Sequence, residues 1–248
     1  MGVAWTSRAL AVGVVAASCG RVGFDGQAHD ADARAADAAA DAPSTAGLVA
    51  VSTQVGSGTE AALSITTVTP GDLLIVAITT WDGTAVANVT DASGSALTSA
   101  GVRAEKSTTS SELWYAAPSP ATDSVTVTMA ASCNGFDVWV AEFAGVAKGP
   151  PAAIASGCLE YPPDIVVAPV TTTVPNQLVV GTTMLAAPLD TDAVVPPFTA
   201  LEPFLSGNGA GYYVASTPGS YAPSWTPSAG SGMPAMTCAS TAAFSPVP

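Results

Sequence analysis

Residues 124–129 read Ser124-Val125-Thr126-Val127-Thr128-Met129. Alternation puts Val125, Val127 and Met129 on one face and hydroxyls on the other, the pattern of a half-buried β-strand. Upstream, Leu73-Leu74-Ile75-Val76-Ala77-Ile78 is apolar at every position, as in a strand covered on both faces, and Pro70-Gly71-Asp72 supplies a turn before it. Further strands are expected near 60–68, 111–117, 136–144, 164–173, 176–184, 210–217 and 234–244. The Gly, Pro, Asn, Asp and Ser clusters between them predict an all-β fold, an antiparallel β-sandwich.

The two halves of this region echo one another. Pro70-Gly71-Asp72-Leu73-Leu74-Ile75-Val76 is mirrored by Pro175-Asn176-Gln177-Leu178-Val179-Val180-Gly181. Trp114-Tyr115-Ala116-Ala117-Pro118 is mirrored by Tyr212-Tyr213-Val214-Ala215-Ser216, and Phe143 by Phe244. A period of about 100 residues is too long for a solenoid. The expectation is two pseudo-repeated halves completing one sandwich over residues 47–248, the size of a single domain.

The order Gly71-Asp72-Leu73-Leu74, Val89-Thr90-Asp91-Ala92-Ser93-Gly94, Leu113-Trp114-Tyr115-Ala116, Asp123-Ser124-Val125-Thr126-Val127 and Val140-Ala141-Glu142-Phe143-Ala144-Gly145-Val146 resembles a recurrent bacterial surface domain. The resemblance spans residues 48–245 and implies a jelly-roll-like sandwich of the kind found beside adhesion or carbohydrate-active modules. Its motifs are structural, so it carries no catalytic or binding residues over to this chain.

Residues 1–18 form a leader: an n-region ending at Arg8, an apolar stretch from Ala9 to Ala17, then Ser18 before Cys19. The apolar stretch is too short to span about 30 Å of hydrocarbon and fits a secretory signal. Ala16-Ala17-Ser18-Cys19 resembles the lipobox of bacterial lipoproteins, which implies acylation of Cys19, and Gly20 resembles the outer-membrane sorting pattern. Ala16 stands where Leu is usual, so ordinary signal-peptidase cleavage is the competing reading. Residues 19–46 are then a lipidated cysteine and tether. Its Ala- and Asp-rich part lacks the apolar surface to offset chain entropy, predicts disorder, and could reach about 70 Å when stretched. His29, the one histidine of the chain, lies here.

That placement excludes much chemistry. Without a histidine in the domain, a Ser-His-Asp triad, a Cys-His pair and a histidine-ligated zinc site are all lacking. No phosphate-binding or dinucleotide glycine loop appears. Formal charge is −13, and Arg103, Lys106 and Lys148 are the bases after Gly47, so nucleic acid is not an expected partner. Glu105, Glu112, Glu142 and Glu160 could supply a glycosidase carboxylate pair, but nothing in their spacing marks one, and Glu142 is expected to face solvent. Asn88-Val89-Thr90-Asp91 and Asp190-Thr191-Asp192 place oxygens where calcium could bind, with ordinary turn chemistry as the simpler account. No metal or cofactor is expected.

In an exported chain, two of Cys133, Cys158 and Cys238 can pair. Ser132-Cys133-Asn134-Gly135 and Ser156-Gly157-Cys158 both read as turns or loops, which predicts a Cys133–Cys158 bridge, with Cys238 a buried hydrophobe in a strand. Aromatics offer the sharpest functional signal. Trp81, Trp114, Tyr213 and Trp225 are candidate sugar-stacking platforms, with Glu112 expected beside Trp114 on an outward face. The chain as a whole reads as a surface-anchored, non-catalytic lipoprotein of the outer membrane or cell surface. It would be attached to the membrane through its lipid and would be glycan-binding or adhesive. The alternative is a structural or protein-binding envelope role, and a third reading is a carboxylate-dependent glycoside hydrolase.

Overall fold

The computed structural model describes residues 45–248 except 102, 118–120, 161–164, 167–168, 186–188, 202–207 and 228–235. The leader, Cys19 and nearly all of the tether lie outside the described residues. The fold is all-β, built from antiparallel pairings. The first half holds β1 (Gly47–Val68), β2 (Leu73–Thr80), β3 (Val86–Asp91), β4 (Thr98–Ser99), β5 (Ala104–Lys106), β6 (Thr109–Ala116) and β7 (Thr122–Ala144). The second holds β8 (Ala153–Glu160), β9 (Ile165–Val166), β10 (Val170–Thr172), β11 (Gln177–Leu185), β12 (Leu189–Val194), β13 (Thr199–Ala200), β14 (Gly209–Ala215), β15 (Gly219–Tyr221), β16 (Ser224–Pro227) and β17 (Met236–Phe244).

The long strands β1 and β7 organise the first half. They pair from Gly47↔Ala144 to Gly56↔Phe136, shift register around Gly58↔Cys133, and pair again from Glu60↔Thr128 to Ser64↔Ser124. Beyond that shift each strand belongs to a second layer. Leu74, Val76, Ile78, Val138 and Val140 of the first layer thereby face Ala61, Leu63, Val89, Val125 and Val127 of the second, all within one buried cluster. Gly56 sits at the bend against the Phe136 ring, where an added Cβ would lie 2.5 Å from a ring carbon. Phe136 is itself fully buried and cannot yield. Gly56→Ala is expected to cost about 1–3 kcal/mol by overpacking, read as a lower midpoint in urea with unchanged m-value.

The sequence echo is a structural repeat. β7 lies between β1 and β2 with β6 outside, and β17 lies between β8 and β11 with β14 outside. The counterpart of β7 is split into β16 and β17, and that of β1 into β8 and β9, because β16 pairs with β9 and β12 as the first part of β7 pairs with β1 and β3. The halves meet through β2, β6 and β7 on one side and β11, β14 and β17 on the other. Leu73, Ile75, Trp139, Phe143, Leu178 and Phe244 fill the seam. Tyr115 meets Phe244 edge-on with ring centroids 5.6 Å apart, and Tyr212 meets Phe143 at 5.3 Å. Exchanging the halves carries one ring pair onto the other, which is an approximate two-fold relation. Cross-strand register equates Tyr115 with Tyr212, since they oppose Ile75 and Val180. The echo read from sequence had set Trp114 against Tyr212, one residue out.

Each half is thus layered in its own right, and the shared seam joins them. The outer face of β11, β14 and β17 is covered by Val170 and Phe198, with Tyr213 and Tyr221 packed alongside. The described residues fall in one compact unit.

Two expectations about the cysteines are corrected here. The bridge joins Cys158 to Cys238, not to Cys133, because Cys158 lies in strand β8 directly opposite Cys238 on β17, with Cα atoms 4.1 Å apart. Segment 156–158 is therefore strand and not loop. Cys133 is a free, buried thiol.

Candidate functional site

The chemistry-bearing side chains of the first half gather at one end of β2, β6 and β7. The loop after β2 places Trp81 over Gly135, its amide donating to the Gly135 carbonyl at 3.0 Å. A Cβ on Gly135 would come within 2.8 Å of the indole, so glycine is what lets the ring lie flat there. Asp82 follows. Its carboxylate accepts from Asn134 N at 2.7 Å, Thr84 N at 3.0 Å and the Cys133 thiol at 3.2 Å. Burial pushes the Asp82 carboxyl up, but these hydrogen bonds outweigh it and hold it at about 2. Burial and the neighbouring Asp82 charge push the Cys133 thiol up to about 11. A protonated, buried thiol is a poor nucleophile.

Glu112 on β6 points into the first-half core, not outward. Its Oε1 accepts from Val86 N at 3.0 Å, and its Oε2 from Trp114 Nε1 at 3.2 Å. The structure therefore brings Glu112 and Trp114 together as expected, but at an inward face. Burial pushes the Glu112 carboxyl up, against those two hydrogen bonds and the charge of Arg103, whose Nε lies 3.9 Å away. Arg103 is ion-paired with Glu105 and donates to the Gly83 carbonyl at 2.7 Å. The cluster is a set of acids, Glu112 buried and Asp82 half-buried, that cap backbone N–H groups.

Glu142 is also a correction. It is buried at 1 % exposure, with Oε1 accepting from Thr69 N at 2.7 Å. The alternation that pointed it to solvent assumes one wet face, and the second part of β7 has none. Glu112 opposes Ile78 and Glu142 opposes Leu74, on the two flanks of β2. Strand rise and spacing set their backbones about 16 Å apart, beyond the separation of roughly 5–9.5 Å used by glycosidase carboxyl pairs.

The remaining aromatic candidates part company. Trp225 is 1 % exposed and offers no surface to a ligand. Tyr213 is half-buried between Phe198 and Tyr221, with centroids at 5.6 and 5.4 Å, and serves the outer core of the second half. Trp114 is half-buried against the first-half core. Trp81, at 40 %, is the exposed one of the four. Asp91 directs Oδ1 at Ser93 N and Ser95 N of its own turn, at 2.9 and 3.0 Å. That is turn chemistry. The side chains of Asp190 to Asp192 lie outside the described residues.

Comparison with protein-family models, curated proteins and solved structures finds no match to this chain.

One residue that sequence reasoning passed over stands out. Asp137 interrupts the apolar run from Phe136 to Ala141, has no exposed surface, and faces the seam between the halves. Asn208 of the second half donates Nδ2 to its Oδ2. Oδ1 has no well-formed hydrogen bond among the described residues, and neither has Thr79 Oγ1 directly across the β2–β7 ladder. Burial pushes the carboxyl up to about 6, against hydrogen bonds from Asn208 and the Trp81 side chain. The signal was available, since a lone Asp among Phe136, Val138, Trp139, Val140 and Ala141 has no solvent to face.

Proposed function

We propose that this chain is an exported, lipid-anchored protein whose β-sandwich is non-catalytic and works by contact with other macromolecules of the envelope. One observation carries this reading: apart from the exposed Trp81, the acids and aromatics that could do chemistry or grip a small ligand are tied up in holding the fold. Glu112 and Glu142 cap backbone N–H groups, Asp82 and Asp91 hold loops, and Trp225 and Tyr213 pack in cores. What is left for function is surface. The leader and the Ala16-Ala17-Ser18-Cys19 motif support delivery to the outer membrane or cell surface.

Labelled palmitate is expected to enter the full chain and to be lost in Cys19→Ala, with the protein moving from the membrane fraction to the soluble one. Label that persists in the variant would overturn the anchor. A glycan-binding reading is favoured by the exposed Trp81. Binding on a glycan array that disappears in Trp81→Ala would establish that reading over the protein-contact one.

A further inference from the structure

The outer strand of the second half has the marks of a docking edge. β8 pairs with β17 without a register shift, from Ala153↔Ala243 to Glu160↔Met236, and among the described residues no strand pairs with its other side. The Cα separation of 4.1 Å at Cys158↔Cys238 belongs to the close, non-hydrogen-bonded type of antiparallel pair. Alternation then fixes the rest of the strand. Ala153, Ala155 and Gly157 direct their N–H and C=O groups to β17, while Ile154, Ser156 and Cys158 present theirs at the free edge. From Ala153 to Leu159 the strand carries no charge and no proline, the devices that usually blunt an exposed edge. Ile154 is 50 % exposed and Leu159 51 %.

Beside this edge, on the face turned toward the first half, lies a cavity of about 150 Å³ lined by Ala100, Gly101, Leu113, Ile154, Ser156 and Ser240. A cavity of about that volume accepts a benzene-sized apolar group. Gly101 keeps it open, since a Cβ there would sit 2.8 Å from Ile154 Cδ1. An unpaired edge supplies main-chain hydrogen bonds, and a pocket at alternate-residue spacing supplies side-chain selection; together they are the elements of β-strand addition.

We infer that β8 receives an extended segment of another protein, neutral or basic in charge, which continues the β14-β11-β17-β8 sheet and seats one branched aliphatic side chain in the cavity beside Ile154. Charge selects the partner over a second copy. This chain carries −13, and the one charge on β8, Glu160, is neutralised by Lys106 at 2.7 Å, so a second copy would add repulsion with no compensating base. The inference rests on the protein-contact reading above and names the surface that reading uses.

The test uses the full chain and a fluorescein-labelled heptapeptide, Lys-Thr-Val-Leu-Thr-Val-Lys, with fluorescence anisotropy as the readout. Ser156→Pro removes one outward N–H and no β17 ladder bond, a position where an edge strand tolerates proline. Expected is saturable binding to the wild type, weakened at least tenfold in Ser156→Pro. Gly101→Val, which fills the cavity and pushes on the Ile154 side chain while leaving every outward main-chain group of β8 in place, is expected to weaken it about fivefold or more and guards against a folding defect in the proline variant. The same peptide with Glu at both ends is expected to bind at least tenfold less tightly. No binding, binding in both variants as tight as in the wild type, or a wild-type dimer in ultracentrifugation that Ser156→Pro dissociates would overturn the inference. Trp81-dependent glycan binding alongside intact Ser156-dependent peptide binding would overturn the broader reading alone.

Discussion

Replacing Cys158 and Cys238 together with alanine is expected to lower stability by about 4–5 kcal/mol, because the bond closes a loop of 80 residues and constrains the unfolded chain. For a domain of this size that corresponds to a fall in Tm of roughly 10–15 °C. The physical reason lies in where the bond sits. It ties the edge strand β8 to β17, which itself lines the seam, so its loss frees a strand that is paired on one side alone among the described residues. Equilibrium unfolding in urea, oxidised against reduced, measures the effect. Cys133→Ala is the control: this thiol is joined to nothing, so the oxidised-minus-reduced difference should be unchanged. A difference abolished by Cys133→Ala would mean that the bond has been placed on the wrong residue.

Asp137→Asn is expected to stabilise the protein at pH 8 by about 3 kcal/mol and to leave it nearly unchanged at pH 4. The sign follows from the buried position. A carboxyl raised from 3.8 to about 6 binds its proton more tightly in the folded state than in the unfolded one. Its stabilising contribution is therefore complete below the unfolded value and is lost as pH rises through about 6. A rise from 3.8 to about 6 corresponds to about 3 kcal/mol. Asparagine keeps an acceptor for Asn208 and carries no charge to desolvate, so the variant should lack this part of the pH profile. Glu112 is shifted in the same direction and should leave the variant a residual slope of the same sign. Urea midpoints for wild type and variant between pH 4 and 8 decide it, and parallel profiles would refute the assignment to Asp137.

The fold was legible where pattern and burial agree. The alternation at Val125 to Met129 and the unbroken apolar run at Leu73 to Ile78 both became strands with the expected faces covered. The echo at Pro70 and Pro175 became the two-fold repeat. Segment 153–158 was not legible, because Ala153-Ile154-Ala155-Ser156-Gly157-Cys158 has little intrinsic strand preference; β17 imposes the conformation. Reading it as loop carried the disulfide with it. The surroundings of the aromatic candidates were hidden for a related reason: a chain folded as two layered halves has a seam as well as two cores, so Trp114 and Tyr213 pack against cores and Trp225 is buried, while Trp81 stays exposed. Glu142 was pointed to the wrong side and Asp137 was passed over because the second part of β7 is covered on both faces, where alternation no longer predicts exposure.

The most direct test of the whole account is a non-reducing peptide map of the protein isolated from the cells that make it, with free thiols alkylated first under native conditions and then in denaturant. The account predicts Cys158 joined to Cys238 and Cys133 alkylated only after unfolding, which requires both an oxidising compartment and the register that places β8 on the edge of the second half. A fully reduced protein, or a Cys133–Cys158 peptide, would contradict it.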